Sequence, residues 1–270
     1  SIATIISEEV NGLQYVSINN VSGINIHNDV GLKTYSQMVN GTLEETITFN
    51  NDNGEFLQSF SAGTSHYLNG YLMDDVTVSD WVPIGTDSKP FTASFDGQGH
   101  TITINSIAED SEYVGVFGCV GNQTAEGTIV SNLVVKGPAE GITTSKRYSG
   151  GVVAFSKGVT IKNCVNKMQI INSYSDTNGI TDFGVGGIVG FVQFETVIDS
   201  CVNFSNLVAK SSVGGIVGKA YQDTWYSLYL TIKKCVNLGS IMSYSTGAYV
   251  SGILGYSYIP LIIQDSINIG

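Results

Sequence analysis

Short apolar runs, punctuated by glycine and asparagine, return along the chain in a fixed order. Five glycine phrases align: Gly115-Val116-Phe117-Gly118, Gly151-Val152-Val153-Ala154, Gly187-Ile188-Val189-Gly190, Gly215-Ile216-Val217-Gly218 and Gly252-Ile253-Leu254-Gly255. A second phrase follows each, from Ile129-Val130-Ser131-Asn132-Leu133 through Thr160-Ile161-Lys162-Asn163-Cys164 to Ile262-Ile263-Gln264-Asp265-Ser266. Its fourth residue falls at 132, 163, 200, 234 and 265, a period of about 31 to 37 residues. The repeat holds short β runs and no stretch with helical apolar spacing. That excludes helical solenoids and also βαβ folds, which need a helix in each crossover. What remains is a coil that stacks on itself at about 4.8 Å per turn, an all-β, right-handed parallel β-helix.

Stacking places like over like. Val130, Ile161, Ile198, Ile232 and Ile263 are expected to form one buried column, and Leu133, Cys164, Cys201, Cys235 and Ser266 another. The two columns are separated by an odd number of positions, so strict alternation cannot bury both. A bulge or corner must lie between them, near Asn132, Asn163 and Ser200. After the cysteines come Val165-Asn166, Val202-Asn203 and Val236-Asn237, then Ile267-Asn268, while Val135 breaks the pattern in the first unit. Asparagine tolerates a left-handed corner, and stacked amides can hydrogen-bond along the stack. The glycines precede β runs rather than helices, so a phosphate cradle is a poor reading of them.

Upstream of the repeats, Val30, Leu32, Tyr35, Met38 and Val39 lie on one helical face between Asn28 or Asp29 as N-cap and Gly41 as stop. A β-helix must hide its open end. Residues 1–64 are therefore read as a strand-and-helix capping region, and 65–270 as the repeats. The final residues stop inside a repeat, so a longer parent chain is expected.

The segment Trp81-Val82-Pro83-Ile84-Gly85, then Pro90-Phe91-Thr92-Ala93-Ser94-Phe95-Asp96-Gly97-Gln98-Gly99-His100-Thr101-Ile102, leads into the glycine phrases. Over roughly 65–270 this arrangement resembles the GLUG-motif β-helical repeat proteins. It departs from them at Ala154 and Ser251, where glycine is usual, and in a long insert between Ile171 and Val185. The resemblance implies a secreted or cell-surface, adhesin-like repeat module without catalytic activity, part of a larger multidomain chain.

Composition narrows the function further. Only 13% of the residues are charged and the formal net charge is −11. Such a surface repels phosphate backbones, so nucleic acid is not an expected partner, and no apolar run is long enough to insert into a membrane. Cys164, Cys201 and Cys235 repeat in register and Cys119 falls elsewhere, so stacked core thiols are expected rather than bridges or a zinc site. No cofactor is expected.

Enzymatic β-helices act on polysaccharides, which makes acids and cations worth weighing. Asp74-Asp75, Asp96, Glu109-Asp110, Asp199 and Asp265 do not recur as a pair on one repeat face, as a glycosidase would need. Asp96 sits in a Gly-rich turn where aspartate bonds to its own backbone. His27, His66 and His100 have no recognisable nucleophile beside them. The single arginine, Arg147, adjoins Lys146 in an expected loop. The chain is therefore expected not to be an enzyme. Binding is the leading expectation, resting on the repeat, the resemblance and the missing catalytic set. A polysaccharide lyase or glycosidase and a pure structural spacer are the alternatives. The aromatic residues at Tyr221, Trp225, Tyr226 and Tyr229 and again at Tyr256 and Tyr258 either pack loops against the coil wall or form the binding face. Rings held on a rigid scaffold suit a glycoprotein or polysaccharide partner. The Val165, Val202, Val236 and Ile267 stripe is an association surface if its corner faces outward, and core if inward.

Overall fold

The computed structural model describes residues 4–175, 182–222 and 229–270. Its repeats form a parallel β-solenoid. Within the described residues the coils contribute to a ten-stranded wall, a seven-stranded wall, a four-stranded wall and two five-stranded ladders formed by the glycine phrases. Register along the core-facing column of the ten-stranded wall is like over like. Val130 lies beside Ile161, Ile161 beside Ile198, Ile198 beside Ile232 and Ile232 beside Ile263. Val130, Ile161, Ile198 and Ile232 are fully buried, as the repeat requires, whereas Ile263, in the last coil with none stacked beyond it among the described residues, is exposed.

From the coil of Phe95 onward, the corner between the two buried columns holds a left-handed residue. Gln98, Asn132, Asn163, Ser200, Lys234 and Asp265 all have φ between 50° and 56°. One left-handed residue reverses the facing of the chain, which is how columns at odd spacing both point inward. The thiols then complete the corner. Cys164, Cys201 and Cys235 each direct Sγ to the carbonyl two residues earlier, at 3.3–3.4 Å, and Ser266 Oγ does the same at 3.0 Å. All four cysteines are free and buried.

The asparagine column behaves differently from expectation in one respect. Asn166, Asn203, Asn237 and Asn268 are strand residues, not left-handed corners. The corner duty falls to the residue before the thiol, so the asparagine side chains are free to turn inward. There they form an amide ladder, Asn166 Nδ2 to Asn203 Oδ1 at 2.9 Å, Asn203 to Asn237 at 2.8 Å and Asn237 to Asn268 at 2.7 Å. Asn166, Asn203 and Asn237 also bond the backbone two residues on, as Asn203 does with both N–H and C=O of Ser205. The preceding Val165, Val202 and Val236 face outward and are half-buried, and Ile267 is exposed. With Phe204 and Leu238 they make an apolar outer stripe.

The tight bend at each glycine phrase brings backbones together. A Cβ on Gly187 would lie 2.1 Å from the Gly215 carbonyl oxygen and 2.5 Å from Asn203 Cγ, so no side chain fits there.

At the amino-terminal end, Leu13–Ile18 and Val21–Ile26 form a hairpin, and Val21–Ile26 pairs in parallel with Asn69–Leu72. The cap is thus continuous with the ten-stranded wall. The helix Asp29–Asn40 follows, with Asn28 Oδ1 accepting from Gly31 N at 2.9 Å and Gly41 left-handed at its end. Leu32, Tyr35, Met38 and Val39 close the core against Ile24, Val76 and Phe95, while Val30 is 50% exposed and does not join them. Tyr35 donates to the Leu68 carbonyl, and burial holds its phenol far above the usual range. Among the described residues no helix is long and apolar enough to cross a membrane.

Two substitutions test this register. Ile198→Ala is expected to cost about 2–5 kcal/mol in denaturant unfolding, the usual range for a buried aliphatic truncation. Asn203→Ala is expected to cost about 1–3 kcal/mol for each buried group it leaves unpaired, and a cost below about 0.5 kcal/mol would show the amide ladder to be energetically idle.

Candidate binding face

The residue after each glycine phrase points out of the coil, and register stacks these residues as Cys119, Phe155, Phe191, Lys219 and Tyr256. The strand entering the bend supplies Tyr113, Tyr148 and then Gly184 beside them. The two strands of one bend lie nearly in backbone contact, since a Cβ on Gly184 would sit 2.4 Å from the Gly190 carbonyl oxygen. Rings from both strands therefore meet. Tyr148 stacks on Phe155 at 4.9 Å and 14° and on Tyr113 at 5.8 Å and 19°, with Phe191 5.5 Å from Phe155. These four rings are buried with Cys119 in a satellite core outside the main coil.

Charges frame this lower part of the face. Arg147 pairs with Asp182, whose Oδ2 also accepts from the Tyr148 hydroxyl at 2.9 Å. Lys157 pairs with Asp87 and stands 5.5 Å from the Phe155 ring centre. With Glu112 and Gln193 these groups line an open cleft of about 350 Å³. Burial pushes the Tyr148 phenol up to about 12, although Arg147 opposes the shift. Burial likewise raises the Cys119 thiol to about 12, so it is held as a protonated, inert thiol.

Higher along the stack, Gly184 and Lys219 replace the ring partners and the face opens. Lys219 is only 8% exposed. Its ammonium lies 4.6 Å from the Phe183 ring centre, 5.1 Å from Tyr256 and 5.6 Å from Tyr221. Around it Tyr221 stacks on Tyr258 at 5.3 Å, and Tyr249 meets Tyr256 at 4.9 Å. Tyr258 and Tyr249 are 62% and 55% exposed, so each ring pair has one member facing solvent.

Of the six aromatic residues expected to bind, the fold thus gathers Tyr221, Tyr256 and Tyr258. Tyr229 is exposed but precedes Leu230–Lys233 on the ten-stranded wall, without a ring partner among the described residues. Trp225 and Tyr226 lie outside the described residues. Phe155, Phe191 and Lys219 escaped notice in the sequence. Extending the alignment of the glycine phrases by one residue would have found them.

The candidate acids are dispersed. Asp96 and Asp199 share one outward column of the ten-stranded wall, with Ser131 and Lys162 between them. Three rungs of about 4.8 Å put them about 14 Å apart, beyond the span of a glycosidase pair. Asp96 accepts from Gln98 N at 2.9 Å, the turn role expected of it. Burial pushes the Asp199 carboxyl upward, but Ser200 and Lys233 together outweigh that and hold it below the usual range. The amide of Thr101, aided by His100, lowers Asp75 similarly. Among the described residues no three His, Cys, Asp or Glu side chains converge as metal ligands. Comparison with protein-family models, curated proteins and solved structures finds no match to this chain.

The raised phenol of Tyr148 carries a pH consequence. A group whose pKa rises on folding stabilises fully below its unfolded value, near 10, and that contribution is lost as pH climbs through about 12. Tyr148→Phe should therefore flatten the alkaline limb of a stability–pH curve between about 10 and about 12. An unchanged limb would mean that Tyr148 does not titrate in the folded state as its surroundings require.

Proposed function

We propose that this chain is a non-catalytic, adhesin-like surface module, working outside the cell as a rigid solenoid that presents tyrosines to a glycoprotein or polysaccharide. The observation that carries this reading is the pair of ring contacts, Tyr221 with Tyr258 and Tyr249 with Tyr256, assembled around Lys219 on adjacent coils. Tyrosine gives a large contact area at low entropic cost, and here neighbouring rings already restrict each side chain. The acidic charge, the Ser-, Thr- and Asn-rich surface and the resemblance to GLUG-motif repeats support placement at a cell surface.

The cleft at Asp87, Glu112 and Asp182 favours a second reading, a polysaccharide-cleaving enzyme. Two of its three carboxylates, however, already hold Lys157 and Arg147 of the protein itself. That leaves Glu112 without an obvious acid–base partner.

A glycan and matrix-protein array probed with the purified chain separates the readings. Retention is expected, and Tyr258→Ala should weaken it by about tenfold, the scale of one lost interfacial anchor, while Tyr229→Ala leaves it unchanged. Equal loss in both variants would remove the tyrosine face as the site. Cleavage of a retained polysaccharide that disappears in Glu112→Gln would replace the binding reading by the enzymatic one.

A further inference from the structure

One wall of the solenoid begins a coil late. The strand Ile142–Thr144 is the outermost member of the four-stranded wall and pairs on one side only, with Ile170–Asn172. In the coil before it, residues 105–112 are a shorter connection than 137–147, and they turn away instead of running as a strand. Their bonds go down to the preceding segment, with Asn105 N donating to the Val78 carbonyl and Ala108 N to that of Trp81. Between the two segments lies a groove of about 520 Å³, walled by Asn105–Glu109 on one side and Gly141–Lys146 on the other.

The hydrogen-bond parity of the edge strand decides what the groove offers. Ile142 N donates to the Gln169 carbonyl at 2.9 Å, and the Thr144 carbonyl accepts from Ser173 N at 2.8 Å. Residues 142 and 144 therefore spend their backbone groups inside the wall. Backbone groups alternate sides along a strand, so the N–H and C=O of Thr143 point into the groove. Such a paired donor and acceptor at a strand edge is what an extended peptide uses to add itself to a sheet. The groove also has a charge preference. Glu109 and Glu140 are exposed at its walls and outnumber the one cation of the lining, Lys146, whose ammonium is tethered to the Glu109 backbone carbonyl.

We propose that this groove is a docking site for an extended peptide with basic side chains, which adds as a strand to the edge at Thr143. The site is separate from the tyrosine face and does not depend on it. The backbone groups of Thr143 supply affinity, and the two glutamates select basic side chains.

The test uses an acetylated, amidated Lys-Val-Thr-Val-Lys peptide, its Glu-Val-Thr-Val-Glu counterpart and an N-methylated form of the first, titrated by calorimetry. The lysine peptide should bind saturably and more tightly than the glutamate one, and N-methylation of its amides should abolish binding. Thr143→Pro removes an N–H that the wall does not use, at an edge position where proline is tolerated. It should keep the thermal transition and weaken binding by about tenfold or more, as loss of an intermolecular backbone bond requires. Should that variant fail to fold, exchanging Glu109 and Glu140 for lysine, both exposed, must reverse the preference between the two peptides. No saturable binding, undiminished binding to folded Thr143→Pro, or a peptide preference indifferent to the glutamates would each overturn the proposal.

Discussion

Every feature of this molecule depends on the spacing of a parallel β ladder. Coils about 4.8 Å apart press each core residue against its equivalents above and below. An aliphatic residue thus needs aliphatic neighbours, and an amide needs amides. The Val130–Ile161–Ile198–Ile232 column satisfies the first demand and the Asn166–Asn203–Asn237–Asn268 ladder the second. A mismatch in one coil would expose two others to it.

The corners show how polar groups are tolerated inside such a stack. Turning the chain inward twice within a few residues requires a left-handed residue, and its N–H donates to a carbonyl of the next coil, as Asn132 N does to Lys162 O and Asn163 N to Asp199 O. Thiols at Cys164, Cys201 and Cys235 add a second, weak donor to these same carbonyls, and the asparagine amides bond the backbone of the next turn. Both groups are small enough to stack and polar enough to satisfy a carbonyl. This explains why the cysteines recur in register yet remain unbridged.

Where the repeat relaxes, surfaces with chemical character arise. The glycine bend carries rings on both of its strands in the early coils, and those rings bury one another. Replacing Tyr148 by Gly184 and Phe191 by Lys219 at the equivalent positions removes that mutual cover, and the later tyrosines reach solvent. Likewise the groove at Thr143 exists because one connection is too short to supply a strand. Both candidate sites are departures from the period rather than products of it.

The sequence by itself determined the solenoid, its buried columns, the corner at Asn132, Asn163 and Ser200, and the capping helix from Asn28 to Gly41. Each of these is set by contacts between equivalent positions, which a period records directly, or by local caps within a few residues. Its asparagines misled in one respect, because a residue suited to a left-handed corner is equally suited to an inward amide ladder. Only the tertiary structure decided how Arg147 meets Asp182, how Tyr148 meets Phe155, and that Tyr221, Tyr256 and Tyr258 share a face while Tyr229 does not. Those contacts run between different strands, within a coil or across neighbouring ones. They depend on the angle of a bend and on the closeness of two backbones, which no repeat in the sequence encodes.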